Sequence, residues 1–323
     1  MHPTPPRPPG FVHVDLDGLW TLAACYGFPE GDLFEQDHAF GPPLERLLEC
    51  LRVHRIRATF FICGRDLTLP FKADRVIELA REGHELAAHA WSHPLDLENL
   101  PDPTLTDEIE RPRRELARLV GSPPIGFRAP GYAAGPRILS ALARAGFRYD
   151  GSCLPTRFGW LLARAAGHLR RQVRRYAPET PLPNPAGQYR GAIHPAPVWI
   201  RPAPEAPPIL RLPVAVSPIL RLPIHASLGM LMGPRPVASA IRRLAATHPD
   251  RPVTYLLHAL DLAAPEELAG RVPAPLLNNR GFRLALAARR DFIDQVLTSL
   301  RRHTELMLTR DWLQRIQPSE VIK

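Results

Sequence analysis

Short apolar runs rich in β-branched residues alternate with segments whose apolar residues recur at helical spacing, and this alternation limits the possible folds more than any other feature. Repeated strand–helix pairs predict a parallel sheet or barrel whose chemistry lies at the carboxyl ends of the strands. We therefore predict an α/β fold, a distorted (β/α) barrel of about seven strands. The predicted strands lie at 11–18, 58–64, 85–89, 125–129, 147–151 and 252–258, and the predicted helices at 44–54, 75–81, 106–120, 136–145 and 284–300.

Residues 152–250 interrupt this alternation with many prolines and with a repeated hexapeptide, PILRLP, at 208–213 and 218–223. We interpret this stretch as an insertion or cap within a single catalytic domain that spans 11–313. The first ten residues, MHPTPPRPPG, predict a mobile arm, because proline-rich segments form neither helix nor sheet ladder. Residues 314–323 are predicted to be a C-terminal tail.

Composition narrows the setting of the protein. The sequence contains no apolar run of 18 residues and no secretory signal pattern, and its four cysteines form no C-x-x-C pair. A cytoplasmic location is therefore expected. The formal net charge of +9 would attract phosphate groups, although an arginine-rich composition alone is the stronger explanation of this charge. Nucleic-acid binding is not expected, since the arginines are not interleaved with stacking aromatic residues.

Two pairs of residues have the spacing of a metal site. Asp15 and Asp17 alternate at the end of the first strand, so their side chains share a face, and Gly18 lets the backbone turn away. His89 and His93 are four residues apart, a spacing that allows two imidazoles to bind one ion. Each pair alone is weak evidence, because two exposed histidines on a turn have the same spacing. Asp17, His89 and His93 together predict an open three-ligand site for Zn²⁺ or a similar divalent cation, with Asp15 free to act as a base.

Three further groups are expected beside this site because they fall at or beyond the ends of predicted strands. His258 follows a late strand and could protonate a departing amine. Arg128 could hold Asp15 ionised through a charged hydrogen bond, or it could form an ordinary surface salt bridge. The turn at Gly131 and Tyr132 offers backbone N–H groups to an oxyanion.

The motifs in this order resemble those of the polysaccharide deacetylase family, the NodB homology domain. They are VDLDG (14–18), TFFICG (59–64), GHELAAHAWSH (83–93), FRAPGY (127–132), YDGS (149–152) and LLHALD (256–261). The resemblance implies a distorted (β/α) barrel, related to the TIM barrel, that removes acyl groups from sugars. It also implies that Asp15 is the base, His258 the acid and Asp17, His89 and His93 the ligands of a divalent metal, Zn²⁺ in preference to Ni²⁺, Co²⁺ or Mn²⁺.

The first motif departs from the commoner pattern of the family, in which two aspartates are adjacent. Leu16 separates them here. This arrangement resembles an intracellular branch that deformylates undecaprenyl-phosphate-linked aminoarabinose, so the departure bears on the substrate more than on the chemistry. A tryptophan-bearing fourth motif is not recognisable, and Trp160 or Trp199 could supply an aromatic wall instead.

The proline-rich stretch also contains a basic amphipathic segment, 160–176. Leu161, Ala165, Leu169, Val173 and Tyr176 fall on one helical face, while arginines 164, 170, 171, 174 and 175 lie elsewhere. Such a helix could lie on the anionic inner face of a membrane, or it could pack on the barrel with its basic side in solvent. The apolar runs at 208–232 could line a groove for a lipid tail, or they could form the core of the cap.

Two other functions remain consistent with parts of the pattern. A strand followed by D-x-D-G is also found in Mg²⁺-dependent phosphatases of the haloacid dehalogenase type, which would use Asp15 and Asp17. Leu19 after the glycine does not fit that family, and His89 and His93 would have no role. The second alternative is a metal-free barrel that binds a glycan without catalysis.

Overall fold

The computed structural model describes residues 7–132, 134–174, 194–278, 280–317 and 321–322. Its strands are β1 (Pro9–Leu16), β2 (Thr59–Ile62), β3 (Glu85–Ala88), β4 (Gly126–Phe127), β5 (Tyr149–Asp150), β6 (Val198–Ile200), β7 (Ile209–Arg211), β8 (Val253–His258), β9 (Glu305–Leu306) and β10 (Val321–Ile322). Its helices of seven or more residues are α1 (Leu19–Tyr26), α2 (Pro42–Val53), α3 (Pro70–Arg81), α4 (Asp102–Val120), α5 (Pro136–Arg144), α6 (Gly159–Arg174), α7 (Ala226–Met232), α8 (Pro234–Thr247) and, near the C-terminus, Leu286–His303.

Seven parallel strands form the body of the sheet in the order β7-β5-β4-β3-β2-β1-β8. At one edge β6 pairs antiparallel with β7, and β10 pairs with β6, while β9 lies beside the start of β1. The helices that connect consecutive parallel strands cover the outer face. The predicted (β/α) barrel is therefore confirmed.

Side chains along β1 alternate between two apolar layers. Val12, Val14 and Leu16 belong to the large cluster beneath the helices, whereas Phe11 belongs to a second cluster inside the barrel with Phe61, Tyr149, Leu210 and Trp312. His13 and Asp15 follow Phe11 at the period of two that a strand imposes. This alternation places Asp15 on the inner face, and the next residue of that face is Asp17.

The predicted insertion contributes to the barrel itself. Its first PILRLP copy contains β7, which pairs with β5 and so supplies a strand that periodicity missed. The gap between β7 and β8 is bridged by irregular backbone, in which Ala215 N donates to Thr254 O at 3.0 Å and His225 pairs with Leu256. The stretch is thus part of the wall of the barrel as well as a cover.

Of the mobile arm predicted over residues 1–10, residues 1–6 lie outside the described residues, and the last two do not belong to an arm. Pro9 and Gly10 already belong to β1, where they pair with Glu305 and Leu306. A Cβ at position 10 would meet Thr304 Oγ1 at 2.0 Å, which explains a glycine at this close contact between strands. Among the described residues, no helix is both long and apolar enough to cross a membrane.

Candidate active site

Asp17, His89 and His93 converge at the carboxyl end of the sheet. Asp17 lies just after β1, His89 just after β3, and His93 in the loop that follows. Asp17 Oδ1 is 3.4 Å from His89 Nε2 and 3.6 Å from His93 Nε2. Ligands about 2.1 Å from a tetrahedral Zn²⁺ lie roughly 3.4 Å from one another. Asp17 Oδ1 is buried and has no hydrogen-bond partner, so the donor set fits a divalent cation.

The orientation of both imidazoles is fixed from behind. His89 Nδ1 lies 2.7 Å from the carbonyl oxygen of Arg128, and because a carbonyl only accepts, we assign the proton to Nδ1. His93 Nδ1 faces Cys25 Sγ at 3.9 Å. These contacts leave the Nε2 lone pairs facing Asp17, the arrangement that metal-binding histidines show when the other ring nitrogen donates to a second group.

The backbone around His93 is strained and held by neighbouring groups. Ala90 and His93 have φ values of 59° and 56°, in the left-handed region that disfavours residues with a Cβ. Glu108, buried on α4, accepts from Trp91 N and Ser92 N, both at 2.9 Å. The loop therefore keeps a conformation that it would not adopt alone, and strain of this kind is typical of functional sites.

Electrostatics keep two of the three groups, Asp17 and His93, in a state that can bind a cation. Burial raises the pKa of Asp17, but the charge of His93, the close contact with His89 and the charges of His89 and His258 outweigh it and lower that pKa well below its usual value. Burial lowers the pKa of His93 to about 4, against the opposing attraction of Asp17. The carboxylate is thus ionised and the His93 imidazole neutral near pH 7.

Asp15 lies beside the three and is held by Arg128. The guanidinium is fully buried, and it donates to Asp15 Oδ1 at 2.5 Å and to Gly151 O at 2.9 Å, while NH2 lies 2.8 Å from His13 Nδ1. It also stacks over Phe61, 4.1 Å from the ring centroid. This burial shows that Arg128 is not a surface salt-bridge residue. The contact with Asp15 is the one expected of an orienting group.

His258 lies beside the other candidate site residues, and it has a partner, Asp261, that the sequence analysis did not assign. Its Nε2 is 3.9 Å from Asp15 Oδ2, and its Nδ1 is 3.5 Å from Asp261 Oδ2. Burial lowers the pKa of His258, but Asp261 and, less strongly, Asp15 and Asp17 raise it to about 9. Asp261 is held in turn by His258 N at 2.8 Å and Ser227 Oγ at 3.0 Å. In the sequence, the i,i+3 spacing of His258 and Asp261 within LLHALD was the signal that could have indicated this contact.

The turn at Gly131 and Tyr132 also lines the site, with φ values of 63° and 62°. Tyr132 N donates to Ala129 O at 3.2 Å, so this N–H is already engaged within the turn. Ala129 N donates to Ser152 Oγ at 2.7 Å, which anchors the turn to the segment after β5.

Asp15, Asp17, His89, His93 and His258 line one pocket of about 490 Å³, while Arg128 lies buried behind it. Its polar floor carries the site residues together with His225, which the sequence analysis had not singled out. Its wall is mainly apolar and includes Leu22, Tyr26, Leu95, Leu228, Leu231 and Phe282. The expected aromatic wall from Trp160 or Trp199 is wrong, since Trp199 is buried in the barrel core and Trp160 is 66% exposed away from the lining.

The basic helix differs from its predicted amphipathic pattern. Within α6, Arg170 is buried, lines the pocket and donates through Nε to Cys25 O at 2.8 Å, whereas Arg164 and Arg171 are exposed. Leu161, predicted to be on the apolar face, is 47% exposed. Residues 175 and 176 lie outside the described residues. The helix thus packs on the barrel through Val173 and Arg170 and exposes apolar side chains at its start.

The Asp-His-His group lies at the carboxyl end of the strands, where (β/α) barrels carry their active sites, and its residue types can hold a divalent cation. Residues 40–149 match the sequence profile of the family described as polysaccharide deacetylase. Over this stretch, 110 of the 323 residues, the chain is similar to the polysaccharide deacetylase family. The match contains His89, His93 and Arg128, while Asp15, Asp17 and His258 lie outside it.

Curated relatives share only part of the chain. The peptidoglycan-N-acetylglucosamine deacetylase of Bacillus cereus is 32% identical over 94 residues, which are 28% of this chain and 33% of that protein. The uncharacterised protein YlxY of Bacillus subtilis is 26% identical over 87 residues, 27% of this chain and 26% of that protein. The chain therefore spans about a third or less of the length of these relatives.

A solved structure supports the fold over the full length. A polysaccharide deacetylase, described as putative, from Mycobacterium smegmatis superposes with a TM-score of 0.57 at 16% identity, covering 100% of this chain and 96% of that one. At this identity the likeness concerns the fold alone.

Proposed function

We propose that the protein is a metal-dependent hydrolase that removes an N-acyl group, acetyl or formyl, from an amino sugar. The observation that carries this proposal is the buried, unbonded Asp17 Oδ1 between the Nε2 atoms of His89 and His93, with a separate carboxylate, Asp15, alongside. A phosphatase of the haloacid dehalogenase type would leave both imidazoles without a role. The family of residues 40–149 points to the same chemistry.

Asp17, His89 and His93 would hold the cation, and their mixed oxygen and nitrogen set favours Zn²⁺ over Ni²⁺, Co²⁺ or Mn²⁺. A divalent cation in this position lowers the pKa of water and polarises the acyl carbonyl. Side chains and one backbone N–H group of the protein carry out the remaining steps.

Asp15 accepts the proton of the attacking water at Oδ2, because Oδ1 is engaged by Arg128. Arg128 orients Asp15 through its charged hydrogen bond to Oδ1. Gly131 N–H donates to the oxyanion that forms on the acyl carbon. His258, protonated at neutral pH because its pKa is raised to about 9, delivers its Nε2 proton to the departing amine.

The pocket wall suggests what else the substrate carries. A sugar alone presents hydroxyl groups, yet the side formed by α1, α7 and residues 281–282 is lined by Leu22, Tyr26, Leu228, Leu231 and Phe282. An amino sugar linked to a lipid, directly or through a phosphate, would place the apolar lipid chain against this wall. Exposed Trp160 and Leu161 at the start of α6, beside exposed Arg164, would then contact an anionic membrane.

The test is acyl release by the purified full-length protein. We expect acetate or formate from N-acyl amino sugars, a higher kcat/KM for lipid-linked than for free sugars, and about one divalent cation per chain in wild type but not in His89→Ala. His258→Ala should keep its metal but lose roughly 100-fold or more in kcat. Phosphate release from p-nitrophenyl phosphate with Mg²⁺, without acyl release, would contradict the proposal. Absence of metal from wild type would favour a non-catalytic barrel.

A further inference from the structure

A fully buried lysine lies behind the site. Lys72, on α3, has no exposed surface, and its Nζ donates to Asp37 Oδ2 at 2.8 Å and to Asp66 Oδ1 at 2.6 Å, both also fully buried. The ammonium also lies 4.4 Å from the ring centroid of Phe34. Burial and Asp37 raise the pKa of Asp66 to about 7, against the opposing attraction of Lys72. Buried ions are costly, so a cluster of three calls for a structural or functional reason.

One arm of this cluster reaches the loop that carries Asp17. Asp37 Oδ1 accepts from Leu19 N at 2.9 Å and from Ala39 N at 3.1 Å. Leu19 is the first residue of α1 and follows Asp17 by two positions. A Cβ at Gly18 would come within 2.0 Å of Asp37 Oδ2, so the loop and the carboxylate are in close contact. Asp37 thus fixes where α1 begins and, with it, where Asp17 lies.

The other arm reaches the loop that carries His93. Asp66 Oδ1 accepts from Trp20 Nε1 at 2.8 Å, and the Trp20 ring packs edge-on against His93 with centroids 6.4 Å apart. Asp66 belongs to a turn whose first residue, Gly64, donates its N–H to Ala90 O at 2.9 Å. The turn of Asp66 therefore holds the strained His93 loop in two ways. Its backbone bonds to the loop through Gly64, and its Asp66 carboxylate anchors the Trp20 ring that packs on His93.

We propose that Lys72 is a positioning residue of the metal centre, because its bonds to Asp37 and Asp66 fix the Asp17 loop and the His93 loop relative to each other. The inference rests on the proposed function. Without the ammonium, Asp37 and Asp66 lose the donor that joins them, and both loops lose a common anchor. Groups behind the ligands that orient them contribute to metal affinity as well as to activity.

The test is Zn²⁺ binding to metal-free, full-length protein, measured by titration calorimetry alongside circular dichroism. In Lys72→Met the dissociation constant should rise about tenfold or more. The matched control is Thr59→Val, which removes a buried donor to Glu85 Oε2 at the opposite end of the strands. We expect this control to lower Tm while its Zn²⁺ affinity stays at the wild-type value.

Trp20→Phe tests the same link without removing a charge. It deletes the indole donor to Asp66 but keeps an aromatic ring, so the chain should fold even where Lys72→Met does not, and Zn²⁺ affinity should fall. If folded Lys72→Met binds Zn²⁺ as tightly as wild type, the positioning role is overturned and the proposed function stands. The same holds if Lys72→Met is unfolded and Trp20→Phe binds Zn²⁺ as tightly as wild type. Failure of wild type to bind Zn²⁺ would overturn the proposed function and this inference with it.

Discussion

His258 lies at the end of β8 with a carboxylate on each side, Asp15 near its Nε2 and Asp261 near its Nδ1. Because Asp261 is the largest source of the raised pKa of about 9, we expect Asp261→Asn to lower that pKa towards the ordinary value of 6.5. The stabilisation that the pair gives the fold should be complete below pH 6.5 and be lost as the pH rises through 9. NMR titration of the imidazole in metal-free protein measures the shift.

The matched control for this change is Ser227→Ala. It removes one hydrogen bond to Asp261 Oδ1 but keeps the negative charge next to His258, so the pKa should stay raised. An unchanged His258 pKa in Asp261→Asn would show that Asp15 and Asp17 alone are responsible.

At the scale of single residues, the sequence predicts which groups the strand order brings together, but it does not predict their other contacts. Asp17 and His89 could be placed because each follows a strand, and parallel strands end at one edge of the sheet. Lys72 could not, since it lies in an ordinary amphipathic helix and its partner Asp37 lies in a loop 35 residues away. Such contacts depend on tertiary packing, which periodicity does not encode.

The two PILRLP copies show how tertiary context decides secondary structure. In the first copy Leu210 is 1% exposed in β7, whereas in the second Ile219 and Leu220 are 71% and 56% exposed and belong to no strand. Only the first copy lies where β5 offers an unpaired edge. An identical hexapeptide therefore forms a strand of the sheet in one place alone, while the second copy forms only an isolated bridge between Pro223 and Val216.

This difference predicts unequal costs for the same substitution. Leu210→Ala should lower the free energy of unfolding by about 2–5 kcal/mol, because it leaves a cavity in the barrel core. Leu220→Ala, its equivalent in the other copy, should change it by less than about 0.5 kcal/mol. Urea unfolding followed by circular dichroism checks both, and equal losses would contradict the structural difference between the copies.

Over the whole molecule, the long proline-rich stretch has several roles that the sequence did not separate. Part of it forms β7 and bridges the sheet towards β8, while α6 and α7 bring Arg170, Leu228 and Leu231 to the pocket. The barrel could be predicted because its strands and helices alternate regularly. The apolar wall could not, since its residues come from distant segments that only the fold brings together.

The proposed lipid-linked substrate would bring the molecule to a membrane surface, and this contact can be tested. Trp160 and Leu161 are 66% and 47% exposed at the start of α6, and a net charge of +9 favours an anionic surface. We expect wild type to float with phosphatidylglycerol liposomes at low salt and less so at high salt, since salt screens the attraction. A Trp160→Ser/Leu161→Ser variant should bind about tenfold more weakly, because two apolar side chains no longer leave water. The control, Ile219→Ser/Leu220→Ser, removes an equally exposed apolar pair elsewhere and should float as wild type does. Loss of flotation in this control, with flotation retained in the α6 variant, would place the membrane contact away from α6.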